Sequence, residues 1–315
     1  MIRAAVAVVG ALLFALPSSA AGQTNETAFS VERFTTAPGV GQFWTAEDAT
    51  VLRHLAFSVG TTASVMSKPI LFQDLNTQDR LTAPVKTRFG TELLAAVGLI
   101  DRLQLGVAVP FVAAQSGARL KGIDLDETEL ATSALGDLRL HVKARLTGRA
   151  DKDGLSVALS ANVSVPTGDQ NHFSGEKSAV FQWLFVSSLR MPNWGVAFNM
   201  GQRLRGQKVV LLSPARPHDN EVVGALAGEA VLYKGLSAVA EVAFVTGATG
   251  PAPDVKGPSP GEMRAGLRLW VMPKLSVGVG AGFGTSPNQV GSPAWRGFAT
   301  VSWASELERL AVSRR

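Results

Sequence analysis

The chain has 315 residues, of which 46% are apolar and 17% charged, with 32 Gly, 16 Pro and no Cys. The charged fraction is below that of ordinary soluble domains, yet no apolar run after residue 20 is long enough for a membrane-spanning helix. The lack of Cys excludes disulfides and thiol catalysis, and a net charge of +5 is too small to indicate a nucleic-acid partner. This composition is typical of a transmembrane β-barrel.

The N-terminus is typical of a secretory signal peptide. An apolar stretch of thirteen residues follows Arg3, and small residues follow that stretch. Such a stretch is too short to cross a bilayer, which argues against a membrane anchor. The expected parts of the chain are a signal peptide at 1–21, a periplasmic leader at 22–50, an outer-membrane barrel at 51–304 and a short periplasmic tail at 305–315.

About twelve segments after the leader alternate apolar with small or polar residues, as strands do when one face lies in lipid. In the segment 137–146, for example, Leu138 and Leu140 alternate with Arg139 and Lys143. The predicted strands are 54–63, 87–99, 103–113, 135–146, 155–165, 179–190, 195–205, 222–233, 236–246, 262–271, 275–285 and 295–303. The sequence therefore predicts an all-β fold, an antiparallel transmembrane β-barrel of about twelve strands.

The connections between these segments alternate in length. The short turns fall near 100–102, 147–154, 191–194, 234–235 and 272–274. The longer loops fall at 64–86, 114–134, 166–178, 206–221, 247–261 and 286–294. Outer-membrane barrels have short periplasmic turns and long outer loops, so we expect the long loops outside the cell.

The charges within the predicted strands all lie opposite the apolar face. Ten are basic and five are acidic: Arg88, Glu92, Asp137, Arg139, Lys143, Arg145, Arg190, Arg203, Arg205, Glu229, Glu241, Glu262, Arg264, Arg268 and Arg296. A charge that faces mid-bilayer lipid costs about 2–4 kcal/mol in a barrel, which explains this segregation. A soluble β-sandwich would also alternate, but it would place its charges on the outer face. The pattern therefore predicts an ionic, net positive lumen.

The candidate functional residues line this lumen. Counted from the short turns, one layer contains Arg145, Glu229, Glu241 and Arg268. A higher layer contains Glu92, His141, Arg203 and Arg264, and the remaining candidates are Arg139 and Lys143. One interpretation is a constriction that selects small or anionic solutes. The other is that acids and bases pair across the barrel and simply fill it.

Catalytic, metal and cofactor sites are not expected. An outer-membrane lipid hydrolase needs a Ser nucleophile and a His base on the membrane-facing surface. The spacing predicts that His54 and His141 face the lumen and that His172 and His218 lie in loops. No spacing of these His residues resembles a metal site.

Two pairs of segments resemble known outer-membrane families. LGDLRLHVKARL at 135–146 and VSVPTGD at 163–169 resemble the LGDL and PTGD signatures of "phenol meta-pathway" transporter-like barrels. VERFTTAPGVGQFWTAEDA at 31–49 and GSPAWRGFATVSW at 291–303 resemble the N-terminal barrels of OmpA-family proteins from myxobacteria and related deltaproteobacteria. The resemblance implies an outer-membrane barrel of transporter type, here without the peptidoglycan-binding domain that follows the barrel in many such proteins. It supplies no catalytic residues.

The sequence thus favours a passive porin-like channel for small solutes in the outer membrane of a Gram-negative bacterium. The alternative is a structural barrel with a plugged lumen, and an outer-membrane lipid-modifying enzyme is less favoured. The expected partners are outer-membrane lipid and lipopolysaccharide, the barrel assembly machinery and small solutes, with no nucleic acid. The last strand, AWRGFATVSW, resembles the C-terminal assembly signal of outer-membrane barrels because it ends in the aromatic Trp303.

Overall fold

The structure is a computed structural model that describes residues 29–39, 43–73, 80–118, 129–148, 153–206, 209–211, 216–218, 220–247, 260–285 and 291–305. The signal peptide predicted at 1–21 and the tail after Ser305 lie outside the described residues. Within the described part of the chain, no helix is long and apolar enough to cross a membrane.

Twelve long strands form one closed antiparallel sheet, which confirms the predicted fold class. They are β1 (Phe57–Gln73), β2 (Arg80–Ile100), β3 (Leu103–Ser116), β4 (Leu138–Thr147), β5 (Gly154–Val165), β6 (Val180–Arg190), β7 (Trp194–Arg205), β8 (Glu221–Tyr233), β9 (Leu236–Gly247), β10 (Gly261–Met272), β11 (Leu275–Gly284) and β12 (Trp295–Ala304). Successive strands pair along the chain, and β1 also pairs with β12, which closes the barrel.

Three short elements lie in the described parts of the longer connections. Ala134–Leu135 pairs with β3, and a small hairpin is formed by Val209–Leu211 and Arg216–His218. Gln170–His172 forms a single 3₁₀ turn. These elements all lie at the end of the barrel that carries the longer connections, which we call the long-loop end. The opposite end, where the connections are the short ones predicted, is called the short-turn end.

The first hairpin is longer than predicted. The expected strands were 54–63 and 87–99, whereas β1 continues to Gln73 and β2 begins at Arg80. The alternation of apolar residues is lost near Lys68 and Pro69 because the register shifts between Ser67 and Ile70. A local irregularity in a strand therefore concealed its continuation from sequence reasoning.

The barrel has an apolar exterior and an ionic interior. Exposed outward-facing residues include Leu140 and Leu155, at 49% and 62% exposure. Of the fifteen predicted lumen charges, thirteen are buried inside the barrel, and the other two, Arg203 and Arg205, are partly buried. This confirms the predicted face of every strand charge. It also excludes a soluble sandwich, which would put those charges outside.

The described residues of the leader lie inside the barrel rather than beside it. At the long-loop end, Val31 N donates to Phe173 O at 3.2 Å. The linker 51–56 joins the leader to β1 at the short-turn end, where His54 N donates to Asp101 Oδ1 at 3.0 Å. The chain therefore passes through the lumen before it begins the first strand. His54, predicted to face the lumen, is exposed at this rim.

Apolar side chains explain why the leader occupies the interior. Phe29, Phe34, Phe43 and Trp44 are each at most 5% exposed. Trp44 packs edge-to-face on Phe298 of β12, with ring centroids 4.6 Å apart. Burial of large aromatic side chains is among the strongest apolar contributions to folding, so a leader that remained in water would forgo it.

Candidate functional site: the lumen and its leader

Asp48 of the leader joins an ion-pair cluster near the short-turn end. Its Oδ2 lies 2.7 Å from Nε of Arg190, and Nη1 of Arg190 lies 2.9 Å from Oε2 of Glu229. Arg268 reaches the same oxygen of Glu229 at 3.5 Å. The predicted proximity of Glu229 and Arg268 is therefore present, and Arg190 and Asp48 complete the cluster. Asp48 of the leader and Glu229 of the wall thus both bind Arg190.

Glu47, the neighbouring leader residue, contacts β4 and β5. Its carboxylate lies 3.1 Å from Nζ of Lys143 and 3.1 Å from Nε2 of His141. Ser160 Oγ donates to the same carboxylate at 2.8 Å. Lys143 also donates to the carbonyl of Asp48 at 2.9 Å. Since these side chains are almost completely buried, the carboxylate compensates the charge of Lys143, which would otherwise be costly in the interior.

Glu241 of β9 binds the backbone of the leader. One carboxylate oxygen accepts from Trp44 N at 3.1 Å and from Thr45 N at 2.9 Å. The residue directly opposite on β10 is Arg264, whose Nη1 lies 3.5 Å from Glu241. The sequence had assigned Glu241 and Arg264 to different layers. That assignment is wrong, because strands in a barrel are tilted and staggered, so equal counts from the turns do not give equal heights.

Near the long-loop end, Glu221 compensates three arginines. Its carboxylate lies 3.3 Å from Arg33 of the leader, 3.1 Å from Arg203 and 3.0 Å from Arg205. Glu221 was not among the predicted lumen residues because the predicted strand began one residue later. An acid at the first position of β8 thus reduces the positive charge of this cluster, and Glu176, 3.5 Å from Arg205, reduces it further.

A second group at this end binds Glu32 of the leader. Nη2 of Arg296 lies 2.9 Å from Glu32, and Nε of the same arginine lies 2.7 Å from Glu262. Glu262 also pairs with Arg264 at 2.7 Å. The carboxylate of Glu32 is therefore one of two that neutralise Arg296.

The last three predicted residues are Glu92, Arg139 and Arg145, and all of them bind main-chain groups. Arg139 pairs with Glu92, and its Nη2 donates to the carbonyl of Thr36 at 3.1 Å. Arg145 lies at the short-turn end, where its Nη2 donates to the carbonyl of Asp101 at 2.6 Å. Arg145 therefore contacts a turn, and Arg139 contacts the leader.

The leader and the wall are complementary in charge. The predicted strand charges comprise ten bases and five acids, whereas the leader carries three acids, Glu32, Glu47 and Asp48, and one base, Arg33, within its described part. Each of the three acids contacts a basic side chain of the wall. The sequence predicted the excess of positive charge but not its counterpart. The sequence did carry a signal for this counterpart. The leader has two adjacent acids and several aromatics, and it precedes a barrel with a basic interior.

The two signature motifs meet at the long-loop end. Asp137 of LGDL accepts from Gly168 N at 2.9 Å and from Glu176 N at 2.8 Å. Leu138 N donates to Oγ1 of Thr167, in PTGD, at 2.9 Å. A Cβ at Gly168 would lie 2.8 Å from Asp137 N, so the close approach requires glycine there. These motifs therefore stabilise one loop against its neighbour.

The leader does not fill the lumen. A cavity of about 130 Å³ lies in the long-loop half, lined by Glu32, Thr62 and Arg139 among others. A second cavity of about 50 Å³ lies beside His141 and Asn199, and a third of about 40 Å³ lies beside Thr300 and Ser302. The interior therefore retains room for water or small solutes.

The lumen holds one Ser, His and carboxylate cluster, but its geometry differs from a catalytic triad. Ser160 Oγ and Glu47 both contact Nε2 of His141, at 3.0 and 3.1 Å. In a triad the carboxylate holds the opposite ring nitrogen, Nδ1, which here is buried without a hydrogen-bond partner among the described residues. The cluster therefore serves to hold the leader.

No protein-family model and no curated protein matches the chain. Among solved structures, the chain is similar to the COG4313 outer membrane channel from Pseudomonas putida F1, at 16% identity and a TM-score of 0.60, over 82% of this chain and 98% of that one. It is also similar to the NanC porin, at 8% identity and a TM-score of 0.50, over 78% of this chain and 98% of that one. At these identities the similarity shows the fold, an outer-membrane type of β-barrel.

Proposed function

We propose that this protein is a passive, porin-like channel for small solutes, narrowed from within by its own leader. The fold is that of outer-membrane barrels, and the apolar exterior suits a lipid environment, so the chain is an outer-membrane protein. The observation that carries the proposal is the incompletely filled lumen, in which a cavity of about 130 Å³ persists beside the leader. Two of the structures to which the chain is similar are a channel and a porin.

In this proposal most of the ten predicted lumen residues act through the leader. Lys143, His141 and Glu241 hold it directly, and Arg139 holds it through the carbonyl of Thr36. Their charges are largely compensated by leader or wall carboxylates. They therefore determine how much of the lumen stays open, and the remaining positive excess gives a preference for anions.

A structural barrel with a plugged lumen is the second candidate. It is favoured by the burial of the leader near the short-turn end, where Ala46, Asp48 and Ala49 are fully buried. The leader also contacts several strands in this region, for example through Ala49 N, which donates to Ser188 Oγ at 3.2 Å. If this contact is as tight in the membrane, solutes do not pass.

Conductance of refolded protein in a planar bilayer tests the two candidates. Folding is checked first as a band that shifts on boiling in an SDS gel. Discrete conductance steps from a folded protein support the channel function. A folded protein without conductance supports the plugged structural barrel instead. Joint neutralisation of Arg139, Lys143 and Arg145 is expected to lower the anion preference in reversal-potential measurements, because it removes fixed positive charge from a narrow lumen.

We propose further that the exterior contacts outer-membrane lipid and lipopolysaccharide, and that the last strand is recognised by the barrel assembly machinery. The exterior supports the first proposal, since outward-facing residues of β12 such as Trp295 and Val301 are exposed. The second is supported by the alternation in β12 that ends near Trp303. Loss of assembly in a Trp303→Ser variant with an unchanged precursor level tests the second proposal.

A further inference from the structure

We infer that solutes pass on one side of the leader, along β1, β11 and β12, and that Thr36 and Thr62 form the narrowest point of this path. The inference rests on the proposed channel function and names the residues that determine its specificity.

Charge is distributed unevenly around the lumen. The three strands β1, β11 and β12 contain only two charged residues, Lys68 and Arg296, and both lie towards the long-loop end. Wall groups on β4, β6 and β9, by contrast, bind leader residues through ion pairs and hydrogen bonds. The leader is therefore held by ionic contacts mainly on the side of β4 to β9. Between Arg296 and the short-turn end, β1, β11 and β12 contain no charged side chain.

Small residues line that opposite side. Gly278 and Gly280 of β11 face the lumen, where a Cβ on either residue would approach the side chains of Thr300 and Phe298, respectively. Hydroxyl side chains of β11 and β12 follow towards the short-turn end, with Ser276 and Ser302 joined at 2.8 Å. Thr300 and Phe298 thus lie over the two glycines, and this part of the wall carries no charged side chain.

Two cavities touch this wall, one above the other, and the larger one also extends across the lumen to charged side chains such as Arg88, Arg139 and Arg203. The cavity of about 130 Å³ occupies the long-loop half, and the cavity of about 40 Å³ lies beside Thr300 and Ser302. Both are lined by Thr36, Trp44 and Thr62. These three residues therefore form the boundary between the cavities.

The contact between Thr36 and Thr62 closes the boundary, since their Oγ1 atoms are 3.3 Å apart. Thr36 is held in place from behind. Its N–H donates to Oε2 of Glu92 at 3.3 Å, and its carbonyl accepts from Arg139 at 3.1 Å. Glu92 and Arg139 are thus positioning residues, whereas the two hydroxyls face the path itself.

The lining indicates the class of solute that fits. Past Arg296 the path offers hydroxyl groups on one side and the Trp44 and Phe298 rings on the other. Arg268 also lines the smaller cavity, where Glu229 compensates its charge. Hydroxyls can donate and accept hydrogen bonds but carry no fixed charge, and aromatic rings bind apolar groups. Past Arg296 the path therefore suits small solutes with both a polar group and an apolar part. The cavity of about 130 Å³ above it is lined by arginines and acids as well, and it is close in size to a cavity of about 150 Å³ that holds benzene.

A reversible cross-link at the narrow point tests the inference. The chain has no Cys, so a Thr36→Cys and Thr62→Cys double variant carries the only two thiols. Oxidation is expected to abolish the single-channel conductance, and reduction is expected to restore it in the same molecules. A Thr62→Ala variant is expected to conduct more than the parent, because it removes the contact that closes the boundary.

The matched control ties the leader to the opposite wall. An Ala49→Cys and Ser188→Cys pair joins positions that already contact each other on the side of β6. It is expected to leave conductance unchanged, because the leader need not move. If this pair also blocks conductance, solutes pass by displacement of the leader and the inference is overturned. Equal conductance of the oxidised and reduced Thr36 and Thr62 pair overturns it as well, while a silent parent refutes the channel function itself.

Discussion

The contact between Glu47 and Lys143 is expected to dominate the stability of the docked leader. The Lys143 side chain is fully buried and that of Glu47 is 3% exposed, with 3.1 Å between Nζ and Oε2. Removing one partner of such a pair costs about 3–5 kcal/mol. Lys143 keeps its hydrogen bond to the Asp48 carbonyl, so we expect about 3 kcal/mol for Glu47→Gln. At about 1.4 kcal/mol per factor of ten, the undocked population of the leader rises roughly a hundredfold.

Labelling of a buried thiol measures this population. Ala46 is fully buried and adjoins Glu47, so an Ala46→Cys variant supplies a single probe in a chain without Cys. If the leader redocks faster than the exposed thiol reacts, the rate of labelling by a water-soluble thiol reagent is proportional to the undocked population. We expect Glu47→Gln to raise this rate roughly a hundredfold over the Ala46→Cys parent.

Two further variants separate the ion pair from general disturbance. Glu32→Gln is the matched control, because the Glu32 side chain is 28% exposed and Arg296 retains Glu262, so we expect less than about a tenfold increase. Lys143→Met added to Glu47→Gln removes the cation that has lost this carboxylate and is expected to recover most of the lost protection. Equal labelling rates in the parent and Glu47→Gln would refute the reasoning.

Two more predictions concern the wall and its loops. Leu140→Arg places a cation on the lipid-facing side of the barrel, and such a charge costs about 2–4 kcal/mol near the midplane of the bilayer. The fraction of this variant that folds into lipid vesicles should therefore fall, whereas Leu140→Ala should still insert. Gly168→Ala places a Cβ against the backbone of Asp137 and should speed proteolysis of the loop that follows β5. Gly297→Ala, where a Cβ would meet nothing within 4 Å, should leave both folding and proteolysis unchanged.

The barrel could be predicted closely from the sequence because strand alternation is a local property. A residue such as Leu140 faces lipid and Arg139 faces the lumen whatever the neighbouring strand contains. The extension of β1 past Ser67 could not be predicted, since the register shift near Ile70 interrupts the alternation without ending the strand. Strand faces are thus easier to predict than strand ends.

The orientation of the candidate residues towards the lumen could be predicted, but their pairing could not. All ten lumen residues are buried or partly buried within the barrel, as their parity required. Their partners depend on strand tilt, which placed Glu241 opposite Arg264, and on a segment remote in sequence, which brought Glu47 to Lys143. Contacts between residues about 100 positions apart leave no local pattern.

The sequence by itself determined that this chain crosses a membrane as a barrel with charged residues inside, because lipid excludes charge from every second position of each strand. Only the tertiary structure decided what occupies that interior. The leader is short, polar in part and without strand periodicity, so nothing local distinguishes a free periplasmic segment from one held in the lumen. Its position follows from the closed barrel, which brings basic side chains from several strands around Glu47 and Asp48 and offers its aromatics a place away from water.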